Sequence, residues 1–218
     1  MKKVFGLAVG IACLVASVGA NATTNPTGNL IVKGTITPAA CNISVTAGGV
    51  IDYGTIRAAE LSQTNFNPRE ERSTALVVNC GQTPARFGLT VTDLRAASKV
   101  AGILGAGYTE AQNYGLGAPG GRRTGGYSVT LRNLTSSGVA LSPIVRSSTS
   151  AAWQASDGKV TQAPSQHSWR NGATYAPAAI SQLSGVIAVK AVINRASDLN
   201  LTGNVVLDGH ATLVLNYI

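Results

Sequence analysis

The sequence is short of the residues on which most chemistry depends. Its 218 residues include only two histidines and three cysteines, and charged residues make up 12%. Aromatic residues make up 5%. Neither histidine has cysteine, histidine or carboxylate partners at metal-ligand spacing, so no metal centre is expected. No strained G-x-S-x-G turn presents a nucleophile. Gly115-Leu116-Gly117-Ala118-Pro119-Gly120 matches G-x-G-x-x-G literally. A dinucleotide site also needs a helix to follow, and Pro119, Gly120 and Gly121 stand where it would begin. These absences argue against an enzyme and against any cofactor. Helical periodicity is almost missing too, and no fixed-period repeat is present.

The one long apolar run lies at the start. Lys2 and Lys3 precede Val4–Val18, and Ala20-Asn21-Ala22 has the small-x-small form of a cleavage site. Residues 1–22 therefore resemble a secretory signal peptide, and the mature domain is expected to span 23–218. No later stretch approaches the roughly 20 apolar residues of a spanning helix, so no membrane span is expected. Export removes Cys13 and leaves Cys41 and Cys80, an even pair that reads as one disulfide. Without Lys2 and Lys3, 15 basic residues stand against 9 acidic ones, a balance of +6. The basic residues are scattered, which describes a solvated surface and gives no reason to expect nucleic acid.

What the chain has in quantity is short β-prone runs punctuated by turns. The expected strands are 30–37, 42–45, 50–53, 73–78, 87–92, 127–133, 139–142, 185–193 and 205–217. Ala47-Gly48-Gly49, Asn67-Pro68, Gly81-Gln82-Thr83-Pro84, Ser136-Ser137-Gly138 and Asp157-Gly158 fall between them. Many short strands with this punctuation indicate an all-β sandwich. The stretch 94–126, rich in glycine and alanine, breaks the rhythm and is expected to be a long surface loop or loose hairpin insertion, with a helical turn near 93–99. Trp153, Trp169, Tyr108, Tyr114 and Tyr175 are the candidate ligand contacts, with stacking on a glycan as the reading for exposed rings, while core or corner packing is the main expectation for Trp153 and Trp169.

The terminal strands are the most informative. "GNLIVKGTITPAAC" (Gly28–Cys41) alternates Leu30, Val32, Gly34 and Ile36 against polar neighbours, with a glycine where a third large side chain would fall. "VVLDGHATLVLNYI" places Val205, Leu207, Ala211, Leu213, Leu215 and Tyr217 on one face, and Asp208, His210 and Thr212 on the other. Two alternating apolar ribbons at the ends of a sandwich create edges that invite pairing with another chain.

The "VKGTITPAAC" stretch with Cys80, and the closing "LNYI" with its penultimate tyrosine, resemble bacterial fimbrial subunits of the chaperone–usher route. "CNISVTAGGVIDYGTI", "YGLGAPGGRRTGGYSVTL" and "VVLDGHATLVLNYI" resemble a pilin-like family of unknown function often encoded beside such chaperones and ushers. The resemblance implies an incomplete immunoglobulin-like sandwich that lacks its last strand. It also implies a periplasmic chaperone that fills the gap first, an outer-membrane usher, and neighbouring fimbrial subunits that replace the chaperone at the cell surface. By the same resemblance, residues 23–37 hold the donor strand, with Leu30, Val32 and Ile36 as donor side chains and Gly34 at the point where the groove floor rises. Ala211, Leu213, Leu215 and Tyr217 then line the receiving groove, and the Ile218 carboxylate meets the chaperone. The chain departs from shaft subunits at Val205, where a glycine is usual, and in the long 94–126 stretch, which points to a minor or tip-associated subunit or to a relative that no longer assembles. The alternative expectation is a self-contained secreted adhesin or glycan-binding module that closes its own sheet.

Overall fold

Alternation of apolar and polar residues builds most of the strands. In a computed structural model, which describes residues 31–34 and 40–218, these are β1 (Asn42–Val45), β2 (Asn67–Pro68), β3 (Arg72–Asn79), β4 (Phe87–Asp93), β5 (Tyr114–Gly115) and β6 (Gly125–Ser136). They continue with β7 (Val139–Ala140), β8 (Ser142–Arg146), β9 (Gln154–Ala155), β10 (Gln166–Arg170), β11 (Gln182–Ile193) and β12 (Ala211–Tyr217). No α-helix occurs among the described residues, only short 3-10 turns.

The strands form two sheets with antiparallel pairing throughout. The first runs β1-β3-β11-β6-β5, with β2 on β11 and β7 on β6; the second runs β12-β4-β10-β8-β9. The chain divides into two units, Met1–Thr37 and Pro38–Ile218, and the sandwich belongs to the second. In the first, Ile31–Gly34 forms no strand and is exposed, Val32 to 87%. The cleavage segment and the rest of the expected N-terminal strand, including Leu30 and Ile36, lie outside the described residues.

The core forms where the inward faces meet. β3 contributes Leu76 and Val78, β4 contributes Phe87, Leu89 and Val91, β6 contributes Tyr127, Val129 and Leu131, and β11 contributes Leu183, Ile187, Val189 and Ile193. Each fully buried aliphatic or aromatic side chain of this kind stabilises the fold by about 1.5–3 kcal/mol. Cys41 and Cys80 form the expected disulfide, which ties the start of β1 to the end of β3. The result is an immunoglobulin-like all-β sandwich stapled by one disulfide.

The 94–126 stretch is not a loose insertion. Ile103, Tyr114 and Leu116 are buried, and the Tyr114 ring stacks on Tyr127 with centroids 5.2 Å apart. Burial raises both phenol pKa values well above the ordinary range. Close backbone approach explains two of the glycines: a Cβ on Gly115 would overlap the Arg95 carbonyl, and one on Gly126 would overlap the Asn113 side-chain oxygen. The expected helical turn is a 3-10 turn at Ala96–Ser98. The expected strand at 50–53 is irregular instead, because it serves a gap in another ladder. β11 pairs with β3 up to Val189 and with β2 from Val192. The Tyr53 hydroxyl fills the interval, donating to the Val189 carbonyl (2.9 Å) and accepting from Ala191 N–H (3.1 Å).

β10 is central in the second sheet although its sequence, QHSWR, is mostly polar. Its polar side chains are buried because each has a partner. Ser168 Oγ donates to the Phe87 carbonyl (2.6 Å), Gln166 Oε1 accepts from Arg146 Nε (2.9 Å), and His167 Nε2 accepts from Thr161 N–H (3.0 Å). Burial, which outweighs the Thr161 contact and the nearby Asp157, lowers the His167 pKa from 6.5. The unfolded chain therefore takes up a proton below pH 6.5 that the folded chain refuses. Stability should be complete above that pH and decline as pH falls toward the folded value, by at most about 1.4 kcal/mol per unit. Urea unfolding between pH 7.5 and 5.5 should show this slope in the wild type and a flatter one in His167→Asn. Equal slopes would remove His167 as its source.

Candidate strand-accepting seam

β12 and β1 are the edge strands of the two sheets, and each has a backbone partner on one side among the described residues: β12 pairs with β4, and β1 with β3. An antiparallel strand turns the N–H and C=O of alternate residues to opposite sides. At β12 two bonds fix the parity. Leu94 N–H donates to the His210 carbonyl (2.9 Å), and Ile218 N–H donates to the Arg86 carbonyl (3.0 Å). Even-numbered residues therefore face β4, and Ala211, Leu213, Leu215 and Tyr217 turn their backbone groups outward.

The same reasoning applies to β1. Cys80 N–H donates to the Ser181 carbonyl (2.7 Å), so even-numbered residues of β3 face β11 and odd-numbered ones face β1. In the register Asn42↔Asn79 and Ser44↔Val77, Asn42 and Ser44 bond β3, and Ile43 and Val45 turn outward. Cys41 follows that parity: its N–H donates to the Tyr217 hydroxyl (2.7 Å). That bond joins the two edges at one end, where the disulfide holds the start of β1 to the end of β3.

On both strands the residues with outward backbone groups also carry the inward apolar side chains. Ile43, Val45, Ala211, Leu213 and Leu215 pack against the core but are only half-buried. Among the twelve half-buried apolar residues that touch the core, Ala178 alone lies outside the stretches 41–61 and 207–215. The core is thus incompletely covered along one line, and among the described residues the strands beside that line have spare main-chain donors and acceptors. This is the geometry of a sheet edge that can take another strand.

The far end of β12 is anchored separately. Asp208 N–H donates to the Leu116 carbonyl (3.0 Å), and the Asp208 carboxylate accepts two bonds from Arg95, at 2.8 and 3.1 Å. The Arg95 guanidinium holds the Asp208 carboxyl below its ordinary range. Val206, Val214, Tyr217 and Ile218 remain exposed apolar residues along this strand and its lead-in.

The expected strand at 205–217 is shorter than its alternation suggested, because 204–210 is extended but unpaired by any strand. Leu207, Ala211, Leu213 and Leu215 nevertheless share the inward face. Of the expected donor residues, Val32 and Gly34 are exposed and outside any strand, while Leu30 and Ile36 fall outside the described residues. Trp169 is not available to a glycan: it is 1% exposed, with its ring edge-on to Phe87 at 6.0 Å. Trp153 is half-buried, and the Arg146 guanidinium covers its ring at 4.6 Å. Sequence reasoning missed the outward parity and the Cys41–Tyr217 bond, since both depend on which strand lies beside which.

Among the described residues no group of three or more His, Cys, Asp or Glu is placed to hold a metal, and no helix is long and apolar enough to cross a membrane. Compared with known families, the chain matches the family described as "Protein of unknown function (DUF1120)" over residues 30–128. The match takes in β1, the disulfide and the 94–126 stretch and ends in β6, before β12. The chain matches no curated protein.

In the isolated monomer the amides of Leu213 and Leu215 should exchange with solvent on the order of 100-fold faster than those of Thr212, Val214 and Asn216. Residue-resolved hydrogen exchange measures this. Equal protection at both parities in a monomer would mean that the seam is already closed within the chain.

Proposed function

We propose that the protein is a structural, non-enzymatic subunit of a surface fimbria, exported through the periplasm and joined to its neighbours by strand addition at the β1–β12 seam. One observation carries this reading: on both edges the residues with outward main-chain groups are those whose apolar side chains leave the core half-covered. An added strand would satisfy both needs at once. Its backbone would bond Ala211, Leu213, Leu215 and Tyr217 on one side and Ile43 and Val45 on the other, and alternate side chains would cover the core. A periodic apolar strand with one small residue suits such a site, and the segment around Val32 and Gly34 has that pattern.

In this reading the occupant is residues 23–37 of a neighbouring subunit. A periplasmic chaperone covers the seam beforehand, and an outer-membrane usher is the site of exchange. The Ile218 carboxylate, next to the last β12 residue, is where chaperone cations would anchor the strand. The long 94–126 stretch favours a minor or tip-associated place over a repeated shaft position, because it adds bulk beyond the sandwich.

A synthetic peptide of residues 23–37 added to the mature protein should raise its melting temperature and slow exchange at Leu213 and Leu215. The same peptide with Gly34→Leu should do neither, and full-length Gly34→Leu subunits should fold but not assemble. Size analysis should show multimers that dissociate on heating. A monomer that ignores the peptide, with its odd-numbered β12 amides already protected, would instead support a self-contained adhesin.

A further inference from the structure

A second feature lies on the outer face of the first sheet, away from the seam. In β11, Val189 and Ala191 belong to the core, so Lys190 and Val192 point to the other side. Their partners on β6 are Ser128 and Gly126. Small residues on β6 leave a hollow there, walled on one flank by Ile103 and Tyr108 of the 94–126 stretch and on the other by Phe66. The hollow encloses about 210 Å³. That is below the roughly 300 Å³ at which drug-sized sites begin, so it suits a single ring.

Its walls are held in place. Lys159 Nζ lies 4.7 Å from the Tyr108 ring centroid, donates to the Gly107 carbonyl (2.8 Å) and pairs with Asp157 (3.0 Å). The Glu110 carboxylate accepts from Gly102 N–H (2.7 Å) and Asn113 Nδ2 (3.1 Å), which fixes the loop that carries Ile103. Opposite, the Arg195 guanidinium covers Phe66 at 4.6 Å, and the neighbouring Asn67 side chain is bonded to Ser62, Asn65 and Asn194.

Its polar groups, by contrast, are unspent. Ser128 is 2% exposed, lines the hollow, and its hydroxyl has no hydrogen-bond partner among the described residues. Lys190 is the one charged residue lining the hollow and has no ion pair among the described residues. No carboxylate lines it.

We infer that this hollow binds one carboxylate-bearing sugar ring, such as a uronic or nonulosonic acid residue. Such a ring matches each part: its carboxylate pairs with Lys190, a hydroxyl bonds Ser128, and its C–H face packs on Tyr108 and Phe66. A neutral sugar would leave Lys190 unused, and an aromatic acid would leave Ser128 without a partner. Because the hollow sits over β6 and β11 in the interior of the sheet, it stays open whether or not a strand fills the seam. The inference does not rest on the fimbrial reading.

The test is titration of the mature protein with N-acetylneuraminic acid and with glucuronic acid, followed by NMR shifts and calorimetry, with galactose and benzoate as comparisons. Saturable binding of an acidic sugar is expected, with shifts at Ser128, Lys190 and Tyr108. Lys190→Gln should weaken it at least tenfold, Tyr108→Ala should weaken it similarly, and Lys190→Arg should retain most of it. No saturable binding up to about 20 mM would overturn the assignment. So would equal affinity for galactose, binding of benzoate alone, or acidic-sugar affinity that Lys190→Gln leaves unchanged.

Discussion

Among the described residues β12 is bonded by a strand on one side only, and this is the constraint on which the rest of this molecule turns. β12 gives its even-numbered backbone groups to β4 and is left with the odd-numbered ones. Those same odd-numbered residues send Ala211, Leu213 and Leu215 toward the core. Main-chain need and side-chain need therefore coincide on one line. In an ordinary edge strand the spare groups meet water at little cost. Here water would also meet half-covered leucines, at about 25 cal/mol for each Å² left exposed. β1 repeats the arrangement with Ile43 and Val45. An unfilled seam of this kind is a standing reason for association.

Several contacts keep that line in shape. The Cys41–Tyr217 bond joins the edges at one end, the Cys41–Cys80 disulfide holds β1 on β3 there, and Arg95–Asp208 with Asp208–Leu116 fixes the lead-in to β12. The ion pair is exposed and adds little stability on its own. Its role is geometric: it ties the 94–126 stretch to the lead-in of β12. This also explains why a glycine-rich segment that looks dispensable is packed into the core through Tyr114 and pressed against β6 at Gly126.

The sandwich was legible from its alternation, and the disulfide from the cysteine count once residues 1–22 were read as a signal peptide. Ala211, Leu213 and Leu215 could be assigned to one face for the same reason, since side-chain period in a strand is a property of sequence alone. Backbone parity is different. It depends on which neighbour takes which bonds, and β4 and β12 are more than a hundred residues apart. β10 was hidden because polarity was taken as exposure, whereas Ser168, Gln166 and His167 are buried with partners supplied by other strands. Trp169 stands in the same polar stretch, yet it lies in a central strand and fills the core, as the packing reading of a large aromatic residue expects. The hollow over β6 and β11 had no local signature at all, because Phe66, Tyr108, Ser128 and Lys190 come from four separate segments.

The seam lies between the edges of the two sheets and the hollow on a face of the first, and this has a physical basis. Strand addition needs an edge, because only there are main-chain groups free; a small-ligand site needs a face, because only there can side chains from several elements converge. β11 lies between β3 and β6 and has no free edge to offer, so its outward residues are released for recognition. β1 and β12 are in the reverse position. If the seam is closed by a neighbouring chain, the sheet gains a strand at its margin while Lys190 and Ser128, two and three strands inward from β1, keep their surroundings. Assembly at the edge and binding on the face are therefore compatible in one subunit, and neither requires the sandwich to change shape for the other.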